Sequence, residues 1–354
     1  MIPIHRCVVS DYSKKLVNEV LDSGNLVQGK MVKRFEEEFA EISGAKYAAA
    51  TSNGTTSLEM MMRADGVDED YVVFTNPLSF AATPRAIRHV GATPIFIDVE
   101  YETGNIDQVK LHQENDSVRS HSKTTTLVVD LHGVQDPLVT NNIPIYRDAS
   151  QAHESKLDTD SVAASYSFHA SKNITAGEGG MVVSNDFNLI EDIKLLRNHG
   201  MNSYGTFKST DGYNARMTDL QAAIGIGSLR DLPEINAIRT DNARYYDQSF
   251  SGIDSLKLPV TQYIYHHYCL RSPFADQIIT ILRYEGIDTR KYYSKPLTEL
   301  PEYEGYELSN RATFPNAYMV CEESFCIPVH QHLTKQEKDY IVKKVIQAVE
   351  HVNE

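Results

Sequence analysis

The chain has 354 residues, 41% of them hydrophobic, and a formal charge of −14. That length and apolar share allow two domains, or one large α/β core with an appendage. The acidic balance argues against a sequence-independent grip on nucleic acid or an anionic membrane, but local geometry can still hold a small anionic ligand.

No run of sequence approaches a membrane span, and residues 1–20 lack the apolar core of a secretion signal. A cytoplasmic protein is therefore expected. Its four cysteines, Cys7, Cys269, Cys321 and Cys326, form no CxxC pair and lack zinc-ligand spacing. They are expected to be reduced thiols, and no metal site is expected. No basic patch with interleaved aromatics is present, so a nucleic-acid partner is not expected.

In chain order, Tyr12 to Asp22 predicts a helix with Leu16, Val20 and Leu21 on one face, stopped at Ser23-Gly24-Asn25. Met31 to Ile42 repeats the pattern with Val32, Phe35, Phe39 and Ile42. Ala45 to Ala50 predicts a strand that runs into Thr51-Ser52-Asn53-Gly54-Thr55-Thr56-Ser57-Leu58, with a helix from Thr55 through Met62. Free amides at such a helix start, joined by hydroxyls, can hold an anion such as phosphate. Taken alone, an ordinary Thr/Ser N-cap is the better account of these residues.

Tyr71 to Thr75 predicts a strand, Asn76-Pro77 opens a loop with Ser79, Phe80 and Thr83, and Ala81 to Val90 predicts a helix. Pro94 to Val99 reads as a buried strand, and Leu127 to Leu131 as another ending at His132-Gly133. Strands alternating with helices indicate a largely parallel, covered sheet. Ile143 to Asp148 is a strand with an aspartate at its carboxyl end, where ligand sites of open α/β sheets lie. The N-cap of a following helix explains Asp148 equally well.

Ser167-Phe168-His169-Ala170-Ser171-Lys172-Asn173-Ile174-Thr175-Ala176-Gly177-Glu178-Gly179-Gly180 sets a lysine in a small-residue turn between two strand-like runs. A lysine that loses solvent there lowers its pKa, and its neutral amine becomes a nucleophile toward carbonyl groups. A turn with an exposed lysine is the plainer account. Phe187 to His199 predicts a helix, followed by a polar loop to Gly212 and then Tyr213-Asn214-Ala215-Arg216-Met217. Thr218 with Gln221 forms a capping box for the next helix, and Pro233 to about Ser251 predicts a separate long helix. The domain change is placed there, dividing a large unit, 1–235, from a smaller α+β unit, 236–354. The latter holds strands at Tyr265 to Arg271 and Ser324 to Pro328, a helix at Asp276 to Glu285, the loop Tyr292-Tyr293-Ser294-Lys295-Pro296, and a final helix from Thr334 with Glu337 completing its capping box.

Together these stretches supply an amine, a phosphate nest, a strand-end acid and a loop aromatic, the groups that pyridoxal phosphate needs. In the same order the chain resembles the DegT/DnrJ/EryC1/StrS group of pyridoxal-phosphate-dependent nucleotide-sugar aminotransferases. The resemblance runs through Leu21-Asp22-Ser23-Gly24, Gln28-Gly29, Phe35-Glu36, Ser52-Asn53-Gly54-Thr55 and Gly91-Ala92-Thr93-Pro94. It continues through Asp148-Ala149-Ser150-Gln151-Ala152-His153, the Ser167–Gly180 stretch, Arg197-Asn198-His199-Gly200 and Gly212-Tyr213-Asn214-Ala215-Arg216-Met217, to Pro328.

The resemblance implies the aspartate-aminotransferase fold (fold type I): a large α/β domain with a mostly parallel mixed sheet flanked by helices, plus a smaller C-terminal α+β domain. It implies that Lys172 binds the cofactor covalently, that Asp148 pairs with the ring nitrogen, and that Gln151 contacts the ring hydroxyl. Phe80 would stack on the ring. Gly54, Thr55, Thr56 and Ser167 would bind the phosphate, and Asn214 would reach the phosphate of a neighbouring subunit's cofactor in a homodimer. Arg216, Tyr292 and Tyr293 match positions that approach the nucleotide sugar. The implied reaction moves an amino group from an amino acid, L-glutamate first, to a keto group of a nucleotide-linked deoxysugar, with ping-pong kinetics. A sugar dehydratase of the same group would carry histidine in place of Lys172, and a silent binding member would have no reason to keep the whole set. Three departures stand out: Arg147 where the group usually has Glu, Glu154 where a small residue is usual, and Tyr292-Tyr293-Ser294 where His-Tyr-Pro is usual.

Overall fold

Two helices precede the first strand in the computed structural model, which describes residues 1–119, 122–135, 137, 143–260, 264–303 and 311–354. Helix α1 (Asp11–Ser23) starts where the Ser10 hydroxyl accepts the Ser13 amide and stops at Gly24, whose φ is 70°. It buries Ser13, Leu16 and Val20. Leu21, expected on that face, is exposed, because it lies about 100° around the helix from Val20. Helix α2 (Lys30–Ser43) buries Val32, Phe35 and Phe39.

The strands β1 (Tyr47–Thr51), β2 (Tyr71–Thr75), β3 (Thr93–Phe96), β4 (Lys123–Val129), β5 (Ile145–Asp148), β6 (Ser161–Ser167) and β7 (Gly180–Ser184) form one sheet, ordered β1-β7-β6-β5-β4-β2-β3. Neighbours from β3 to β6 are parallel, and β7 runs antiparallel to both β6 and β1. Helices α3 (Gly54–Ala64), α4 (Ala82–His89) and α5 (Gln108–Val118) connect strands β1 to β4, and α6 (Phe187–Leu196) follows β7. One apolar cluster joins Leu16, Phe35, Phe39, Phe168 and Leu229, and another joins Leu58, Met61, Ile87 and Ile190. The sheet is thus covered on both faces, as a mostly parallel sheet requires.

Helix α7 (Asp219–Phe250) is one element of 32 residues, opened by the Thr218–Gln221 capping box and running through Pro233. The expected break there does not occur. Proline removes one helical hydrogen bond and crowds the carbonyl four residues back. Burial of Leu229 and Leu232 before it, and of Asn236 and Arg239 after it, holds the helix together across that point.

Strand β8 (Tyr268–Arg271) and strand β9 (Ser324–Ile327) pair antiparallel, with α8 (Ala275–Tyr284), α9 (Pro315–Glu323) and α10 (Lys335–Asn353) beside them. A separate core of Tyr246, Phe250, Leu270, Ile278, Phe325 and Ile341 lies here. Three further expectations change. β3 ends at Phe96 and is half-exposed, because it is an edge strand. α5 and α9 were not expected: α5 is almost wholly polar, with Leu111 its one buried apolar residue.

The third change concerns the cysteines. Cys269 and Cys326 are register partners whose Cα atoms lie 4.2 Å apart, and they form a disulfide. Cys326 exchanges its backbone hydrogen bonds with Arg290 on the other side, at 3.2 and 2.7 Å. The cysteines therefore occupy the non-hydrogen-bonded position, where antiparallel strands bring side chains closest. The expectation of four reduced thiols fails for this pair, and Cys7 and Cys321 are the free ones. Among the described residues no helix is long and apolar enough to cross a membrane.

Candidate active site

The site gathers at the carboxyl ends of β4, β5 and β6 and the start of α3. Asn53, rather than a Thr/Ser hydroxyl, caps α3: its Oδ1 accepts the Thr56 amide at 2.9 Å and the Thr56 hydroxyl at 3.0 Å. The Thr55 hydroxyl has no partner among the described residues and is free for a ligand. A Cβ placed on Gly54 would lie 2.7 Å from the Ser167 Cβ, so the helix start rests directly on the end of β6. A Cβ on Gly180 would meet the Asn53 carbonyl oxygen at 2.4 Å. Only glycine permits these approaches, and together they bring Thr55, Thr56 and Ser167 around one helix N-terminus. Gly54→Ala is expected to cost about 1–3 kcal/mol by overpacking, read as a lower urea midpoint at unchanged slope.

Asp148 ends β5 and is buried. Its Oδ2 accepts the Thr83 hydroxyl at 2.8 Å, and Thr83 is held in turn by Ser79 at 2.7 Å. Its Oδ1 accepts the Ser150 amide at 3.2 Å. No helix begins after Asp148, so an N-cap role does not arise. Gln151 is clamped from both ends. Its Oε1 accepts the His132 amide at 2.8 Å, and its Nε2 donates to the Tyr293 hydroxyl at 3.2 Å.

Lys172 follows β6 in a turn closed by its amide on the His169 carbonyl, at 2.9 Å. Its side chain is half-buried, and its amine has no hydrogen bond among the described residues. Burial lowers its pKa to about 8, against the opposing pull of Asp148. The neutral, nucleophilic amine is thus accessible slightly above neutral pH. His153 donates its Nε2 to the Ser167 carbonyl at 2.8 Å, and burial lowers its pKa to about 3. It is therefore a neutral brace under the β6 end.

The remaining expected positions stand apart from this bonded group. Phe80 lies open to solvent at 67% exposure. Asn214 is exposed, with its Oδ1 accepting the Arg216 amide at 3.4 Å, and the Arg216 guanidinium donates to Asn198 at 2.7 Å. Tyr292 stacks on His267 with ring centroids 3.9 Å apart. Two groups that contact the site were given no role from sequence, Thr83 and His132. Thr83 lies 65 residues from Asp148, and His132 lies 19 from Gln151. The only sequence signal was that His132 follows a strand end.

The departures also find places. Arg147 is buried between Asp130, at 2.8 Å, and Asp158, at 2.5 Å. Glu154 has φ 85°, a conformation glycine adopts without cost, and its carboxylate accepts Asn236 Nδ2 at 2.8 Å. Arg197 bonds Glu36 and the Ala50 carbonyl, both at 2.5 Å, tying α6 and α2 to β1.

Residues 9–346 match the model of the DegT/DnrJ/EryC1/StrS aminotransferase family. The chain belongs to that family. It is 30% identical to the UDP-4-amino-4,6-dideoxy-N-acetyl-beta-L-altrosamine transaminase of Campylobacter jejuni, over 97% of this chain and 95% of that one. It is 29% identical to the GDP-perosamine synthase of Vibrio cholerae, over 90% of this chain and 91% of that one. Among solved structures, Helicobacter pylori PseC, an aminotransferase involved in the biosynthesis of pseudoaminic acid, superposes with a TM-score of 0.89 at 27% identity, covering 99% of each chain. The protein is thus an enzyme of an aminotransferase family, with the α/β fold of sugar aminotransferases.

Proposed function

We propose that this family member uses pyridoxal 5′-phosphate to move an amino group from an amino acid, L-glutamate first, to a keto group of a nucleotide-linked deoxysugar. The observation that carries the reading is Lys172, its amine unbonded and its pKa lowered, set against buried Asp148 beside the helix start at Gly54. The cradle fits the cofactor: a helix start pressed onto Ser167 suits a phosphate, and a buried carboxylate suits a protonated ring nitrogen. When bound, pyridoxal phosphate supplies an electron sink for the pair left at the amino acid's α carbon.

The protein's own groups do the rest. The Gly54 and Thr55 amides, with the Thr55, Thr56 and Ser167 hydroxyls, hold the phosphate. Asp148, held by the Thr83 hydroxyl and the Ser150 amide, would pair with the ring nitrogen. Gln151, clamped by His132 and Tyr293, meets the ring hydroxyl. Phe80 covers the ring face. Lys172 would be the base that takes the proton from the donor's α carbon and, in the separate acceptor half, the acid that delivers a proton to the sugar carbon. Asn214 serves a second subunit's phosphate, so the working unit is a homodimer, in the cytoplasm. Arg216, Tyr292 and Tyr293 face the sugar nucleotide. Residues 1–235 and 236–354 form the two units; the three largest apolar clusters support this division, and a smaller one bridges it by joining Leu78, Val99 and Leu131 to Phe314 and Val320. Relatives named for UDP- and GDP-linked sugars support the substrate class and leave the nucleotide open.

The test is the visible spectrum of the purified protein with pyridoxal phosphate, before and after L-glutamate. The cofactor band should fall and the pyridoxamine phosphate band rise without any sugar present, because a ping-pong enzyme completes its donor half alone. A band that ignores every amino acid would remove the amino-transfer reading.

A further inference from the structure

Strands β8 and β9 stand behind the groups that clamp Gln151. Tyr292 packs against Cys269 and Cys326 and stacks on His267. His267 Nδ1 lies 3.2 Å from His132 Nδ1, and the His132 amide donates to Gln151 Oε1. A second arm starts at Cys326, whose backbone bonds Arg290 in both directions. From Arg290 the chain leads to Tyr293, the acceptor for Gln151 Nε2. Both arms end on one side-chain amide.

The chemistry of the pair reaches the first arm directly. A ring nitrogen of His132 and both sulfurs lie within 4.8 Å of one another. Burial keeps His132 and His267 neutral. With the S–S bond closed there is no S–H, and among the described residues the His132 ring hydrogen-bonds only to His267. Once the bond opens, two thiols can donate to the imidazole and compete for it. Access is asymmetric: Cys269 lines a narrow crevice with His132, His267 and Arg271, while Cys326 is fully buried behind it.

We propose that Cys269–Cys326 is a reversible thiol–disulfide exchange site whose state sets how firmly Gln151 is held, and through Gln151 the grip on the cofactor. This rests on the cofactor reading above. A small thiolate attacks Sγ of Cys269, the S–S bond breaks, and its electron pair leaves on Sγ of Cys326, which takes a proton. A second thiolate attacks the reagent's sulfur in the mixed disulfide and releases Cys269 as a thiol. The cystine is reduced and two small thiols are oxidised to their disulfide. Oxidised glutathione runs the sequence in reverse.

The experiment equilibrates the whole protein in glutathione buffers of graded poise, with a chelator present so that the opened thiols and His132 hold no metal. Thiols are counted after unfolding. Amide hydrogen exchange is read over residues 264–271 and 286–296 without cofactor, and the pyridoxal phosphate dissociation constant is measured in each state. Reactive thiols should rise from two to four. Exchange in both segments should speed up. Cofactor binding should weaken roughly threefold to tenfold on reduction, the worth of one hydrogen bond to Gln151. The Cys269→Ser/Cys326→Ser double variant should keep two reactive thiols and stay at the reduced-state exchange and affinity whatever the poise. Four reactive thiols at every poise, or identical exchange and affinity in the two states, overturns the proposal. If neither state binds pyridoxal phosphate, the cofactor reading fails and takes the proposal with it, whereas binding that ignores the poise sinks the proposal alone.

Discussion

Lys172→Ala is expected to lower amino transfer from L-glutamate by about a thousandfold or more, since in the proposed mechanism it removes both the covalent anchor and the proton carrier. The residue lies in a turn, half-buried and unbonded at its amine, so its loss should leave the fold intact. Circular dichroism and the thermal midpoint should match the parent protein. Added small amines should restore part of the activity if the lysine acts through its amine. Unimpaired transfer by the variant would remove the mechanism. The pH behaviour has a definite sign. Burial lowers the Lys172 pKa to about 8, and only the neutral amine attacks a carbonyl. Loading of cofactor-free protein should therefore speed up as pH rises through about 8 and level off above it. A loading rate flat from about pH 6.5 to about pH 9.5 would contradict a titrating amine at that position.

Arg147→Met should be the most damaging single change outside the cofactor groups, at about 3–5 kcal/mol of stability, because it strands buried acid without its counter-charge. Arg147 and Asp130 are each about 2% exposed along their side chains, and one guanidinium serves both Asp130 and Asp158. Burial raises the Asp130 pKa from 3.8 to about 7 even with Arg147 in place. A carboxyl raised in the folded state costs stability above that folded pKa, and the cost fades as pH falls toward the unfolded value. The variant's deficit should therefore be largest above about pH 7 and shrink toward about pH 5. Adding Asp130→Asn to Arg147→Met should recover part of the loss, since Asp158 is partly solvated. Urea unfolding at two pH values measures all three proteins. A deficit below about 1 kcal/mol, the scale of a surface pair, would show that the triad is not a buried charge cluster.

What could be read in the chain was what neighbours in sequence decide. Tyr71–Thr75 announces β2 as a short β-branched and aromatic run, and Thr218–Gln221 and Thr334–Glu337 announce their helices by reciprocal caps. Lys172 and Asp148 stood out because a glycine-rich turn and a strand end are local patterns. Contacts across long separations left no such trace. Thr83 reaches Asp148 only because β2 and β5 flank β4, and Tyr293 reaches Gln151 across 142 residues. Pro233 misled for the same reason: packing on both sides of it, absent from any local window, outweighs one lost hydrogen bond. The cysteine pairing depended on the register of β8 against β9, across a separation of 57 residues that no spacing rule covers.

The position of β1 at one edge of the sheet bears on how the protein is made. Among the described residues its only strand partner is β7, with Tyr47 opposite Ser184. On a ribosome adding about 5–20 residues per second, that partner emerges roughly 7–27 s after β1. Throughout that interval the first strand synthesised is an open edge, and the Ser52–Thr56 turn that follows it has neither Gly180 nor Ser167 to press against. The nascent chain can pack this turn only after more than half of it has been translated, so a chain truncated earlier lacks the cradle proposed above for a phosphate.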